Sequence, residues 1–184
     1  MTYLGNDDIK KFYRIWFGLL EYVNGKYKVS PGLNFSEISK SVELKKVLPV
    51  RDRVWGNDSL IDEFIGVNPY NLDDEEIQIL SGWKTRVSGS FVILKQLKNY
   101  TILIHIENGG KIYGVTGISE PIPEVIHSCA LPVYADMVLV PFGDRIVYDG
   151  IVLSYNMKLG SNIRKNINAQ YMAVKEKYGI ITNL

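Results

Sequence analysis

The sequence predicts an α+β fold: a helical N-terminal part, an antiparallel sheet of about five to six strands across 87–157, and a C-terminal closing helix. Three observations carry that prediction. Apolar residues recur every three to four positions up to about Arg86. Beyond it they alternate one by one around short turn signals. A last helical stretch then runs to Gly179. With 184 residues and a 46% hydrophobic fraction, the chain suits one domain over 1–184, made of a mainly helical part (1–86) and a part with the sheet and C-terminal helix (87–184).

From Asn6, the segment NDDIKKFYRIWFGLLEYVNG sets Ile9, Phe12, Tyr13, Trp16, Leu19, Leu20 and Val23 on one helical arc, with Lys10, Lys11, Arg14 and Glu21 opposite. Asn6 or Asp7 is placed to cap its start, and Gly25 to take the left-handed turn that ends it. A second helix is expected from Ser36 through Glu37, Ile38, Val42, Leu44 and Val47. It should stop before Pro49, which has no N–H to give and crowds the preceding turn. SLIDEFIG forms a third helix after Asn57 or Asp58, ending ahead of Pro69. The fourth, LDDEEIQILSGW from Asn71, opens on the acidic turn that a helix dipole favours.

Strands are expected at Ser90–Leu97, Thr101–Glu107 and Lys111–Ile118. A three-residue loop, Asn108-Gly109-Gly110, would set Glu107 against Lys111, Ile106 against Ile112 and His105 against Tyr113. A two-residue loop would break the alternation. A second hairpin joins Val133–Phe142 to Arg145–Tyr148 across Gly143-Asp144, an order suited to a type II′ turn. There Pro141 opposes Ile146, Val140 opposes Val147 and Val138 opposes Asp149. Lacking an N–H, Pro141 marks a sheet edge or a place where pairing stops. Asp149-Gly150 turns or bulges the chain before Ile151–Met157. In the last helix, Ser161–Tyr178, the residues Ile163, Ile167, Tyr171, Val174 and Tyr178 share a narrow apolar arc flanked by Arg164, Asn168 and Lys175.

A net charge of +1 is spread evenly: 12 basic and 13 acidic residues in 1–86, 9 and 7 in 87–184. That balance argues against a chain steered strongly to nucleic acid. The single cysteine, Cys129, excludes an internal disulfide and suits a reducing compartment. No apolar run approaches ~18 residues, and Met1–Lys10 lacks the features of a secretory signal. A cytoplasmic protein with no membrane partner is expected.

Chemistry-bearing constellations are few. His105, His127 and Cys129 are the residues suited to zinc, and His105 lies on a mixed-polarity strand face where a hydrogen-bonded surface histidine is ordinary. Cys129 and His127 stand two apart on one short segment, a poor nucleophile–base geometry. The glycines of NGGKIYGVTGI fit no phosphate-loop spacing. Asp73-Asp74-Glu75-Glu76 point different ways around a first helical turn. We therefore expect no metal and no cofactor, and assign no catalytic residue.

Two basic clusters stand out. VRDRVWGN brings Arg51 and Arg53 to either side of Asp52 and close to Trp55, a combination that binds phosphate, stacks on a base, or clamps helices through Asp52. The other is Lys158, Arg164, Lys165, Lys175 and Lys177, a solvated helix face or an anionic-ligand surface. Tyr113, Tyr134, Tyr148, Tyr155 and Trp55 are expected to offer aromatic surface around the sheet.

The segments VRDRVWGNDSLIDEFIGVNPYNL, NYTILIHIENGGKIYGVTGI and LPVYADMVLVPFGDRIVYDGIVLSYNMKLG, with the Tyr-containing helix that follows, resemble an uncharacterised family of bacterial and archaeal proteins. Its members sometimes occur beside small SEC-C-type metal-binding tails. The resemblance spans about Trp16 to Leu184 and implies no known activity and no site residue. This chain has no such Cys-rich tail.

The function expected from sequence is a non-enzymatic cytoplasmic module that binds a ligand or protein and serves regulation, with a protein partner or a second copy added at a strand edge. The alternative is nucleic-acid binding or a phosphate-directed hydrolysis. The candidate binding residues are Arg51, Arg53, Trp55, Tyr148, Asp149, Arg164 and Lys165.

Overall fold

The change of rhythm near Arg86 is a structural boundary. The computed structural model describes every residue except 1, 34, 36–43, 108, 127–129 and 156–158. Its contacts divide the chain into a helical unit, Lys10–Lys84, and a second unit made of Met1–Ile9 with Thr85–Leu184. The described elements are α1 (Asn6–Tyr27), α2 (Leu44–Trp55), α3 (Ser59–Val67), α4 (Asp74–Gly82), β1 (Val87–Gln96), β2 (Thr101–His105), β3 (Ile112–Val115), α5 (Ile122–Val125), β4 (Val133–Phe142), β5 (Arg145–Tyr148), β6 (Leu153–Ser154) and α6 (Ser161–Tyr178). The α+β class is as expected.

In the helical unit the apolar arc of α1 buries Phe12, Trp16, Leu19, Leu20 and Val23, as its periodicity implies, and Ile15 with them. Trp16 stacks on Trp55 with ring centres 4.9 Å apart, and Trp83 meets Phe12, Trp16 and Trp55 at 5.5–6.2 Å. Two helix ends differ from expectation. The first helix continues through Gly25 to Tyr27, and Lys28 takes the left-handed conformation at φ 52. Pro49 lies inside α2 and does not stop it. Burial of Val47, Val50, Val54 and Trp55 along one side favours continuing the helix past the one backbone bond that proline removes. The expected start of that helix, from Ser36, lies outside the described residues. α3 ends at Asn68 in the left-handed conformation, before Pro69. Asp73 caps α4 and forms a capping box with Glu76, which explains two of the four consecutive acids.

In the second unit, β1 pairs antiparallel with β4 through its first half and with β2 through its second. The ladder continues from β2 to β3, crosses to β5 by a parallel pair at Val115 and Ile146, and returns through β5 to β4. Five strands thus close on themselves in the order 1-2-3-5-4-1, and β6 adds to the side of β4. Strand closure removes the free edges of a sheet. The edge of β3 also takes Ile181 beside Tyr113, and the segment beyond it takes Tyr3 beside Gly117, both parallel. Gly117 is required there, since a Cβ would lie 2.0 Å from the Glu120 carbonyl oxygen.

The second hairpin has the register read from sequence: Val140 faces Val147, Pro141 faces Ile146, and the Asp149 N–H donates to the Val138 carbonyl. Gly143 takes a positive φ of 60 in the turn. The β1 partner of β4 ends at Leu139, so pairing on that side stops short of Pro141, as a missing N–H demands. The β2–β3 hairpin is shifted. Ile104, not Ile106, faces Ile112, and Leu103, not His105, faces Tyr113. The Ile106 N–H donates to Ser90 of β1, while the His105 N–H closes the hairpin on Lys111, so the connection is longer than three residues. Because the shift is two residues, every side chain keeps its face. Asn108 lies outside the described residues.

Inward-facing Phe91, Ile93, Leu103, Tyr113, Ala135, Met137 and Leu139 fill the barrel. On the outside of β1, β2 and β3, Val92, Leu94, Ile102, Ile104 and Ile112 form a second cluster with Leu159, Ile167 and Tyr171. This is the seat of α6, whose bounds match the sequence reading. Its apolar arc is only partly used: Ile167 and Tyr171 are buried, whereas Ile163 and Tyr178 are 46% and 68% exposed. A helix of 18 residues is about 27 Å long.

Candidate functional site

One irregularity positions the most distinctive surface of the barrel unit. Before the bulge in β1, Ile93 pairs with Leu103 and faces inward; after it, Lys95 pairs with Ile102 on the outer face. Strict alternation would have turned Lys95 into the barrel, as it does Phe91 and Ile93. The bulge re-aims it toward α6. Its ammonium lies 4.2 Å from the centre of the Tyr171 ring, and that of Lys175 lies 5.8 Å from the same ring. Tyr171 is 2% exposed, so the two cations rest on a buried aromatic. Among the described residues neither lysine has a carboxylate partner.

Three other polar groups of this unit, His105, Asp136 and Arg145, are engaged internally. His105 is not on the surface as its strand pattern suggested. It is buried against Phe91 at 4.7 Å between ring centres, with Nε2 3.2 Å from the Ser88 carbonyl oxygen. Gly89 makes room for it, since a Cβ there would lie 2.8 Å from that nitrogen. Asp136 accepts from the Ser90 hydroxyl at 2.5 Å and from the Tyr155 hydroxyl, which pushes the Tyr155 phenol up. Arg145 donates to Asp8 at 2.9 Å.

The seven residues singled out from sequence are not brought together. Arg51, Arg53 and Trp55 belong to the helical unit, and Tyr148, Asp149, Arg164 and Lys165 to the other. Because α2 is helical through this stretch, Arg51 and Trp55 share one side and Arg53 takes the other. Arg51 is buried, its Nη1 3.4 Å from Asp52, and Trp55 is stacked in the core. Arg53 covers the Tyr27 ring at 4.0 Å. Tyr148 and Asp149 are buried, and Asp149 accepts from the Ile151 N–H at 3.2 Å. Arg164 donates to the carbonyls of Leu159 and Leu131 at 3.0 and 3.1 Å, and so fastens the start of α6. Lys165 is exposed. The aromatic surface expected around the sheet is mostly interior: Tyr113, Tyr148 and Trp55 are buried, and Tyr155 is the exposed member. His127, Cys129 and Lys158 lie outside the described residues, among which no group of three His, Cys, Asp or Glu side chains is arranged to hold a metal.

The five-stranded barrel closed in this order, with a parallel β3–β5 seam and a helix between β3 and β4, presents one outer face formed by β2 and β3. Here that face is apolar and lies under α6. Neither the family models, the curated proteins nor the solved structures yield a match to this chain. No described helix is long and apolar enough to cross a membrane.

Proposed function

We propose that the chain is a non-enzymatic, cytoplasmic binding module whose working surface is α6 and its margin with β1. The observation that supports this most is the seat of α6. It covers the outer face of β1, β2 and β3, yet buries only Ile167 and Tyr171 and leaves most of its length in solvent. A covered face moves recognition to the cover. The buried polar groups His105 and Asp149 contact backbone, which supports a structural role for them.

Native mass spectrometry of the chain purified from its own host tests the proposal. A retained ligand or partner is expected, with its loss on Met172→Glu, a change at a position 62% exposed. A bare chain, or retention indifferent to α6 substitutions, would contradict it. The version with a second copy of the chain is checked by light scattering after size exclusion, where a strict monomer at high concentration removes it.

A further inference from the structure

The margin between β1 and α6 has too much positive charge for the structure it supports. The segments 87–100 and 161–178 carry Lys95, Lys98, Arg164, Lys165, Lys175 and Lys177 against one acid, Glu176. Glu176 falls about 100° around the helix from Lys175, away from Tyr171. Of the other acids of the unit, Asp8 pairs with Arg145, and Asp136 accepts from Ser90 and Tyr155.

The ammonium groups of Lys95 and Lys175 are held to the same ring and so lie no more than about 10 Å apart, close to one screening length at physiological salt. They repel, and among the described residues no carboxylate offsets them. One is there only because β1 bulges. At the C-terminal end of the helix the Tyr178 ring is 68% exposed, with the Lys177 ammonium 4.9 Å from its centre. Fixed cations beside an exposed aromatic are what a phosphodiester chain with unstacked bases engages, phosphates on the lysines and a base on the ring.

We propose that the β1–α6 margin, built on Lys95, Lys175 and Tyr178, binds the backbone of a single-stranded nucleic acid. This rests on the binding-module reading and names its partner. An acidic polypeptide would satisfy the lysines but would leave the Tyr178 face unused, and the exposed apolar residues of α6, Ile163, Met172 and Tyr178, fall on different sides of the helix and give a membrane no continuous face.

Fluorescence anisotropy of a labelled oligothymidylate, titrated with the full chain over a salt series, is the test. Binding with an affinity on the order of 10⁻⁴–10⁻⁵ M is expected, weakening as salt rises. The double variant K95Q/K175Q should weaken it about tenfold and lower the log–log salt slope by about 1.4, the share of two phosphate contacts on a single strand. K95R/K175R should keep it. Tyr178→Ser should weaken binding about tenfold and leave the slope alone, because stacking releases no counterion. Thermal unfolding of each variant shows that it is folded. No binding at low salt, a folded K95Q/K175Q that binds like the parent, or equal affinity for labelled polyglutamate would overturn the assignment. A partner retained in native mass spectrometry beside any of these results would leave the module reading standing without it.

Discussion

The paired cations of the helical unit and the two lysines of the β1–α6 margin are treated differently. In the helical unit, Arg14 reaches both carboxylate oxygens of Glu76 at 2.5 Å and donates to the carbonyl of Tyr70 at 2.9 Å. Glu63 accepts from Lys26 at 2.6 Å and from the Tyr22 hydroxyl, and Lys84 meets Asp62 at 2.5 Å. Each of these cations is neutralised within its own unit and ties one helix to another segment. Along the β1–α6 margin, Lys95 and Lys175 rest on Tyr171 without any such acid. A neutralised charge is explained by the fold it holds. Arg53 is the corresponding cation of the helical unit, a single guanidinium over the Tyr27 ring, whereas the margin sets two lysines on one ring.

The largest expected effect is in the aromatic core of the helical unit. Trp83→Ala removes a fully buried ring that meets three others and should cost about 3–5 kcal/mol in urea unfolding. Glu76→Ala should cost about 2–3 kcal/mol, because it strips the buried partner of Arg14 and half of the capping box at once. Against these, Lys95→Gln and Lys175→Gln should each change stability by less than about 1 kcal/mol, the range of a cation–π contact near the surface. A loss as large as that of Glu76→Ala would erase the contrast between the units.

The smallest effect is a pH dependence. Its hydrogen bonds from Lys26 and Tyr22 hold the Glu63 carboxyl below its ordinary range. A depressed folded-state value means that this contribution is complete above the unfolded carboxylate range and fades as pH falls through the folded one. Lys26 is shifted up by the same contact, so its contribution is present below the unfolded lysine range and fades as pH rises through the folded value. Urea midpoints followed across pH should therefore sag at both extremes, and Glu63→Gln should flatten both flanks.

Much of the architecture could be read from residues. The change of period near Arg86, the Gly143-Asp144 hairpin with Pro141 opposite Ile146, and the bounds of α6 all follow from local rules that the structure obeys. What could not be read is non-local. Alternation shows that strands have two faces but not that β1 bends to pair with both β2 and β4, so barrel closure was hidden, and with it the burial of Tyr113, Tyr148 and His105. Pro49 misled because its penalty is local while the burial of Val50, Val54 and Trp55 is tertiary. That error left Arg51, Arg53 and Trp55 looking like one cluster when a helix separates them. Lys175 was visible as part of a basic stretch. Lys95 gave one sign only, a charge at an inward position of an alternating strand, which is what a bulge leaves in a sequence.

The central claim is that binding sits on the β1–α6 margin, where two lysines share one ring without a carboxylate. Backbone amide chemical shifts of the isotopically labelled chain, followed while a short oligothymidylate is added at low salt, test it most directly. The account predicts perturbations concentrated in 94–100 and 161–178, with Lys10–Lys84 silent. Shifts centred on α2 around Arg51 and Arg53, or none anywhere, would contradict it.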